Sequence, residues 1–320
     1  MYTLVTACMN REQHLRQSLP GWLTLPQVAE VIVVDWSNRR ALEDLCSVDP
    51  RVRVVRVEGE PKWILSYAYN LGISRASGPV VVKCDADCIP NQGIMECMPG
   101  PAYFYAGYWR SGAAVGKPSV NGQCIFLKSQ FEAVNGYSEV IRTYGRDDED
   151  FYDRLIAGGS ARREIAPAHL DFLEHSNDER IANQFDAPPA PSLEQRVFRD
   201  TLYNEMHNYN IAQLMPWNTS CSRAVFEVIR SEGPLTVVRR DKTKEIVIPP
   251  AIEARARVQG LRYVAMKAAG IPYESANKLD ERACLTLIGS RASRAASVRS
   301  TAIPVHDAPR QRGRTLRQPT

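Results

Sequence analysis

The stretch Pro79-Val80-Val81-Val82-Lys83-Cys84-Asp85-Ala86-Asp87 joins an apolar run to two acidic residues. The three valines predict a strand, and the acids predict a polar turn directly after it. A second run, Val31-Ile32-Val33-Val34, is β-branched and apolar on both faces, which is typical of a buried parallel strand. It ends in Asp35-Trp36-Ser37-Asn38. Because ligands bind at the carboxyl ends of strands in an open α/β sheet, these polar ends predict a ligand site.

Strand and helix patterns alternate around these two runs. Further strands are predicted at 2–8, which ends in Asn10-Arg11, and at 52–57. Helices are predicted at 12–25 and 64–75, where apolar residues recur every three or four positions. This βαβα order predicts an α/β fold in which a mostly parallel sheet is flanked by helices.

Composition changes twice along the second half of the chain. Residues 186–192, Asp-Ala-Pro-Pro-Ala-Pro-Ser, predict a linker or domain edge. We therefore divide the chain into a first domain at 1–185 and a C-terminal extension of mixed or helical structure at 186–289. Residues 290–320 are rich in Ser, Arg, Pro and Ala and are predicted to be disordered.

Composition and charge exclude several classes of protein. The chain has 320 residues, 44% of them hydrophobic and 24% charged, which is enough to bury a substantial core. No stretch approaches the ~18 apolar residues of a membrane span. The net charge of +4 comes from the tail, which has seven arginines against one aspartate, so the rest is nearly neutral and a nucleic-acid partner is not expected. The basic tail is a candidate for weak contact with an anionic membrane surface, and a merely solvated end is the alternative.

Cysteine usage and the N-terminus indicate the compartment. There are eight cysteines and no C-x-x-C pair. The first eleven residues lack the basic-then-apolar pattern of a secretory signal. We expect a cytoplasmic protein with reduced thiols, peripheral at the membrane if the tail binds there.

Asp85-Ala86-Asp87 is the first of three candidate chemical features. Two carboxylates at this spacing after a strand suit Mg²⁺ or Mn²⁺, and such a cation can hold a diphosphate. The alternative is an ordinary polar turn.

Two further features lie later in the chain. Residues 147–150 are four consecutive acids. Crowded carboxylates raise one another's pKa and can leave one as a general base, or they simply favour a helix start through its macrodipole. His175 can bind a cation of the Mn²⁺ type, or it precedes a helix that Ser176 and Glu179 cap.

The order of these features resembles GT-A (Rossmann-like) glycosyltransferases of the family 2 type, and especially their β-1,4-galactosyltransferase branch. The resemblance covers about residues 1–185, with Arg146 and Asp147 standing where the branch has glycine and glutamate. The similar segments are 10–15 (N-R-E-Q-H-L), 33–35 (V-V-D), 68–73 (A-Y-N-L-G-I), 85–87 (D-A-D), 135–137 (N-G-Y), 145–155 (G-R-D-D-E-D-F-Y-D-R-L) and 173–176 (L-E-H-S).

The resemblance implies a role for each matched residue. Asp148 takes the position of the catalytic base, and Asp87 and His175 take those of the metal ligands, with His169 as the fallback ligand. Tyr144 and Glu149 fall where the acceptor is contacted. The remaining matches imply donor binding by Arg11, Asp35, Asn70 and Asp85. The implied function is Mn²⁺- or Mg²⁺-dependent, inverting transfer of a sugar from a nucleotide sugar, UDP-linked by resemblance, to a hydroxyl of a glycan or other acceptor.

Two other functions compete with this interpretation. A sugar-phosphate nucleotidyltransferase would use a similar sheet, but it normally has a Gly-rich phosphate loop after the first strand, and residues 6–11 contain no glycine. A catalytically inactive nucleotide-sugar-binding module would keep the site without turnover. Residues 99–118, with aromatic residues and four glycines, predict either a lid over the donor or a rigid loop.

Overall fold

The computed structural model describes residues 1–174 and 193–290. His175, the predicted linker with its domain boundary, and the tail from residue 291 lie outside the described residues. The strands are β1 Tyr2–Cys8, β2 Val28–Trp36, β3 Val52–Glu58, β4 Val80–Lys83, β5 Cys88–Pro90, β6 Tyr103–Ala106, β7 Cys124–Leu127, β8 Ala161–Glu164, β9 Leu170–Phe172, β10 Phe226–Glu232 and β11 Leu235–Arg240. The helices are α1 Glu12–Leu23, α2 Leu65–Ser74, α3 Trp109–Ala114, α4 Lys128–Ala133, α5 Asp147–Ala157, α6 Leu193–Leu214, α7 Pro250–Ala269, α8 Tyr273–Ala276 and α9 Glu281–Ser290.

A large sheet with the order β10-β11-β3-β2-β1-β4-β7-β6-β8 forms the centre of the molecule. The run from β11 to β4 is parallel, and so is the β6–β8 pair. The pairs β4–β7, β6–β7 and β10–β11 are antiparallel. This confirms the predicted α/β fold with a mostly parallel sheet between helices.

Apolar side chains from both faces of the sheet explain why it is buried. On one face, Leu15, Leu19 and Trp22 of α1 pack on the sheet. On the other, α2 and α5 contribute residues such as Leu71 and Phe151. The α1 residues recur at a spacing of three or four, so a single helical stripe supplies the contact.

The segment predicted as a C-terminal extension contributes to this sheet. Strand β11 pairs in parallel with β3, with Leu235 beside Val54, and β10 forms the edge. The helices α6 and α7 pack together through residues such as Leu202 and Leu261. Residues 226–240 are therefore an integral part of the sheet.

A small second sheet pairs β5 with β9 in antiparallel register. It places the segment after the two acids, 88–90, against residues 170–172. The segment predicted as a lid or rigid loop contains β6 and the short helix α3. Among the described helices, none has the length and apolar character needed to cross a bilayer.

Candidate active site

The carboxyl ends of β1, β2 and β4 meet at one edge of the large sheet. Cys8 of β1 lies beside Asp35 of β2, and Val5 lies beside Lys83 of β4. The segments that follow these strands therefore emerge on the same side, where ligands bind in sheets of this kind.

Asp35 is fully buried, and its carboxylate is used by the protein itself. Asn38 donates to Oδ1 from its backbone amide at 3.0 Å and from Nδ2 at 2.7 Å. The amide of Leu42, at 3.0 Å, and Nη1 of Arg56, at 2.6 Å, donate to Oδ2. These bonds fix the turn after β2. The predicted contact of Asp35 with the donor stays a prediction.

Asn70 of α2 is also buried and positions another residue of the site. Its Nδ2 donates to the carbonyl of Tyr137 at 2.9 Å and to Glu139 at 2.8 Å, and its Oδ1 accepts from the amide of Tyr137 at 2.7 Å. The Tyr137 hydroxyl then donates to Oδ1 of Asp148 at 3.2 Å. Asn70 is therefore hydrogen-bonded to the residue that contacts Asp148, and its predicted contact with the donor stays a prediction.

The carboxylate of Asp85 is held by three side chains. Its Oδ1 accepts from Nζ of Lys83 at 3.0 Å and from the hydroxyl of Tyr69 at 3.1 Å. Its Oδ2 accepts from Nε2 of Gln123 at 2.9 Å. The side chain is still 35% exposed, so it faces the cleft in a fixed orientation.

Asp87 lies beside Arg11. Oδ2 of Asp87 is 3.7 Å from Nη1 of Arg11, and the two side chains are 12% and 24% exposed. The residues predicted to contact a metal and a diphosphate are thus brought together at the edge of the sheet.

Helix α5 begins at Asp147 and carries the acidic cluster in its first turn. The backbone before it turns sharply, because Arg146 adopts a left-handed conformation with φ 68°. The amide of Asp148 donates to Oδ1 of Asp147 at 3.0 Å. The macrodipole and the catalytic interpretation of this cluster are compatible, since both place carboxylates at the helix N-terminus.

Lys83 connects the two groups of carboxylates. Its side chain is fully buried, and Nζ lies 3.0 Å from Oδ1 of Asp85, 3.2 Å from Oδ1 of Asp148 and 2.5 Å from the carbonyl of Gly122. Sequence reasoning did not identify this residue. The available signal was a lysine at the end of a valine strand, two positions before Asp85, where an unpaired charge would be costly to bury.

Burial and charge determine the protonation of this cluster. Burial raises the pKa of Asp148 to about 8; Lys83 opposes this rise, whereas the neighbouring carboxylates of Asp147 and Asp85 add to it. Burial likewise raises the pKa of Asp147 to about 6. Burial alone would lower the pKa of Lys83, but Asp148 and Asp85 outweigh it and hold that pKa well above its usual value. The two carboxylates thus favour the charged form of the lysine, whereas burial favours the protonated form of Asp148.

The predicted acceptor residues flank Asp148. Oε1 of Glu149 accepts from Nδ2 of Asn121 at 2.8 Å, and Oε2 lies 3.4 Å from Nη1 of Arg162. Tyr144 is 41% exposed on the loop before α5. The predicted acceptor role of both residues stays a prediction.

Asn208 of α6 anchors that loop. Its Nδ2 donates to the backbone carbonyls of Thr143 at 3.2 Å, Tyr144 at 3.4 Å and Gly145 at 2.7 Å. Its Oδ1 accepts from the hydroxyl of Thr143 at 2.9 Å. A residue of the C-terminal half thus fixes the approach to Asp148, and no sequence motif pointed to it.

His169, the fallback ligand, lies beside the small sheet that follows Asp87. The amide of Leu173 donates to the carbonyl of Asp87 at 2.8 Å, whereas Leu170 pairs with Pro90 at the other end. His169 precedes Leu170, and its ring lies against Gly93. The fallback ligand is therefore at the far end of the small sheet, and His175 lies outside the described residues. Within residues 1–174 and 193–290, no group of three His, Cys, Asp or Glu side chains could hold a metal ion.

Two family models match adjoining parts of the chain. The model described as glycosyl transferase family 2 matches residues 3–97, and that described as the N-terminal domain of galactosyltransferase matches residues 117–175. The first contains the strand ends and Asp85-Ala86-Asp87, and the second contains the acidic start of α5. Residues 3–97 and 117–175 are therefore similar to family 2 glycosyltransferases and to galactosyltransferases, respectively. The resemblance predicted from the sequence is confirmed.

The chain is also similar to solved structures at low identity. A variant of the Drosophila β1,4-galactosyltransferase 7 in complex with manganese, UDP-Gal and xylobiose is 12% identical, with 75% of this chain and 92% of that chain covered and a TM-score of 0.47. Glucosyl-3-phosphoglycerate synthase from Mycobacterium tuberculosis with Mn²⁺, UDP and phosphoglyceric acid is 16% identical, with coverages of 64% and 78% and a TM-score of 0.43. A mannosyltransferase from Pyrobaculum calidifontis with GDP-Man and Mn²⁺ is 14% identical, with coverages of 92% and 80% and a TM-score of 0.48. No curated protein matches the sequence significantly.

Proposed function

We propose that this protein carries out metal-dependent, inverting transfer of a sugar from a nucleotide sugar, UDP-linked in the first instance, to a hydroxyl of a glycan or other acceptor. The observation that supports this most directly is the proximity of Asp85, on the donor side of the site, to Asp148, on the acceptor side. A single ammonium, that of Lys83, contacts both Asp85 at the donor side and Asp148 at the start of α5. This spacing, with only the Lys83 ammonium between the carboxylates of Asp85 and Asp148, suits a direct attack of the acceptor hydroxyl on the anomeric carbon of the donor.

The donor set at the end of β4 fits a hard divalent cation. Asp87 offers carboxylate oxygens at the edge of the sheet, with His175 as the second proposed ligand, and Mn²⁺ accepts both oxygen and imidazole ligands. When bound, such an ion supplies neutralisation of the charge that develops on the leaving diphosphate. Mn²⁺ is also the ion in the three solved structures described above.

The residues of the chain perform the remaining tasks. Asp148 accepts the proton of the acceptor hydroxyl as its oxygen bonds to the anomeric carbon of the sugar. The bond from that carbon to the β-phosphate oxygen breaks, and the nucleoside diphosphate leaves on the opposite face, so a single displacement inverts the anomeric centre. Arg11, beside Asp87, provides a guanidinium for the departing diphosphate. Tyr144 and Glu149 contact the acceptor.

Incubation with UDP-, GDP- and dTDP-sugars plus Mn²⁺ tests this function. Nucleotide release is followed with and without a panel of glycan acceptors, and the anomeric configuration of the product is read by NMR. We expect release from one class of donor, stimulated by an acceptor, with inversion. Retention of configuration would overturn the mechanism, and absence of release from every donor would overturn the function.

A further inference from the structure

Lys83 is a charged residue in a position where charge is costly. Its side chain is fully buried at the end of a valine strand, and the ring of Tyr69 lies 4.6 Å from Nζ. A cation in such a place destabilises the fold unless it is paired with opposite charge. Here it is paired twice, with carboxylates that belong to different segments of the chain.

The groups around Nζ of Lys83 restrict the positions that the carboxylates of Asp85 and Asp148 can take. The third contact of the ammonium is the carbonyl of Gly122, at 2.5 Å. A Cβ atom at Gly122 would lie 2.6 Å from Oδ2 of Asp85 and 3.5 Å from Oδ2 of Asp148. The glycine therefore leaves room for both carboxylates to approach one ammonium, whose three hydrogen atoms match the two carboxylates and the carbonyl of Gly122.

We propose that Lys83 is a positioning residue that sets the distance between the donor-side carboxylate of Asp85 and the acceptor-side carboxylate of Asp148. This inference rests on the proposed function for its catalytic consequence. Lys83 is fully buried, so we place its effect in its contacts with the two carboxylates. It acts because attack on the anomeric carbon needs the base and the donor in one fixed geometry, and a misplacement of about 1 Å can cost roughly 100-fold in rate.

The catalytic test compares Lys83→Met with Lys83→Arg. Met retains an unbranched side chain of nearly the same length and removes the charge, so we expect kcat to fall roughly 100-fold, with a smaller rise of the KM for the donor. Arg retains the charge and should restore part of kcat. Lys128→Met is the matched control, because within the described part of the chain Nζ of Lys128 donates to the backbone carbonyls of Ser74 and Ala76. Unchanged kcat in Lys83→Met, or no recovery in Lys83→Arg, would overturn the proposal.

A second test does not depend on any activity. The free energy of unfolding is measured for Lys83→Met, for Asp85→Asn with Asp148→Asn, and for the triple variant. We expect Lys83→Met to lower the free energy of unfolding of the wild-type protein. In the variant with Asp85→Asn and Asp148→Asn, the same substitution should lower it much less. Equal costs in both backgrounds would overturn the pairing. If Lys83→Met does not fold, Lys83→Gln, which can still donate to Gly122, takes its place. Should wild-type protein transfer no sugar, the proposed function fails while this test still decides on the pairing.

Discussion

The backbone amide of Leu173 donates to the carbonyl oxygen of Asp87 at 2.8 Å. This bond extends the β5–β9 pairing to the second acid after β4. The described segment continues to Glu174, whose carbonyl lies 3.3 Å from Nε2 of His14. The pairing brings the segment that precedes His175 to Asp87, and it places His169 at the opposite end.

Removal of either proposed metal ligand should weaken metal-dependent binding of the donor. Asp87→Ala and His175→Ala should weaken Mn²⁺-dependent binding of the donor by more than about tenfold, since even outer partners of a metal typically contribute that much. Calorimetry with a UDP-sugar, with and without EDTA, measures this. His169→Ala is the matched control and should bind normally. Loss of binding in His169→Ala but not in His175→Ala would reverse the assignment, and donor binding indifferent to EDTA would refute it.

Asp148→Asn should abolish transfer and leave donor binding intact. Loss of a general base costs roughly 100- to 10,000-fold in kcat, whereas the amide keeps the shape of the side chain. Asp150→Asn, two positions further along α5, is the control, because Asp150 pairs with Arg154 on the same helix at 2.8 Å. Initial rates and donor affinity are measured for both. Full activity of Asp148→Asn would eliminate it as the base.

The pH profile of transfer should show the titration of Asp148. Its pKa is raised to about 8 by burial, with Asp147 and Asp85 adding to the rise. The base must be deprotonated to act, so kcat/KM should increase with pH from about 6 to 9 and level off above the apparent pKa. Rates measured with constant ionic strength and saturating metal test this. A profile that is flat across that range would contradict a base with a raised pKa.

Buried Glu139 should make stability depend on pH. Burial raises its pKa from 4.5 to about 7. A carboxyl whose pKa is raised on folding stabilises the native state fully below 4.5, and this contribution is lost as pH rises through 7. The loss amounts to at most about 3 kcal/mol. We expect urea unfolding to show this decline in wild type and a flatter dependence in Glu139→Gln. If the free energy of unfolding depended on pH in the same way in wild type and Glu139→Gln, the pKa of Glu139 would be the same in the folded and unfolded states.

Asn208→Ala should loosen the loop before α5. Three backbone carbonyls and one hydroxyl lose their partner, which should cost about 1–3 kcal/mol of unfolding free energy. The KM for the acceptor should rise, because Tyr144 is on this loop, while donor affinity stays unchanged. Asn210→Ala is the control, since Nδ2 of Asn210 donates to Met206 within its own helix. If the KM for the acceptor did not change, the loop before α5 would have no part in acceptor binding.

Several features of the site could be predicted from the sequence because they depend on local patterns. The valine run before Asp85 predicts a strand that ends at a polar turn, and the acids at 147–150 predict a helix start. Both are found, at β4 and α5. The hydrogen bonds of Asp35 and Asn70 could not be predicted in the same way, because several of their partners come near them only when the chain folds.

The sequence by itself determined the order of strands and helices up to β4, the class of fold and the positions of the acids at strand and helix ends, because hydrophobic periodicity and terminal charge depend on a few neighbouring residues. Tertiary structure alone decided that Lys83 contacts both Asp85 and Asp148, that residues 226–240 extend the sheet, and that Asn208 fixes the loop before the base. These contacts join residues separated by up to some 180 positions, as with Leu235 beside Val54. Burial and pairing at such separations follow from the packing of whole elements, on which the local pattern carries no information.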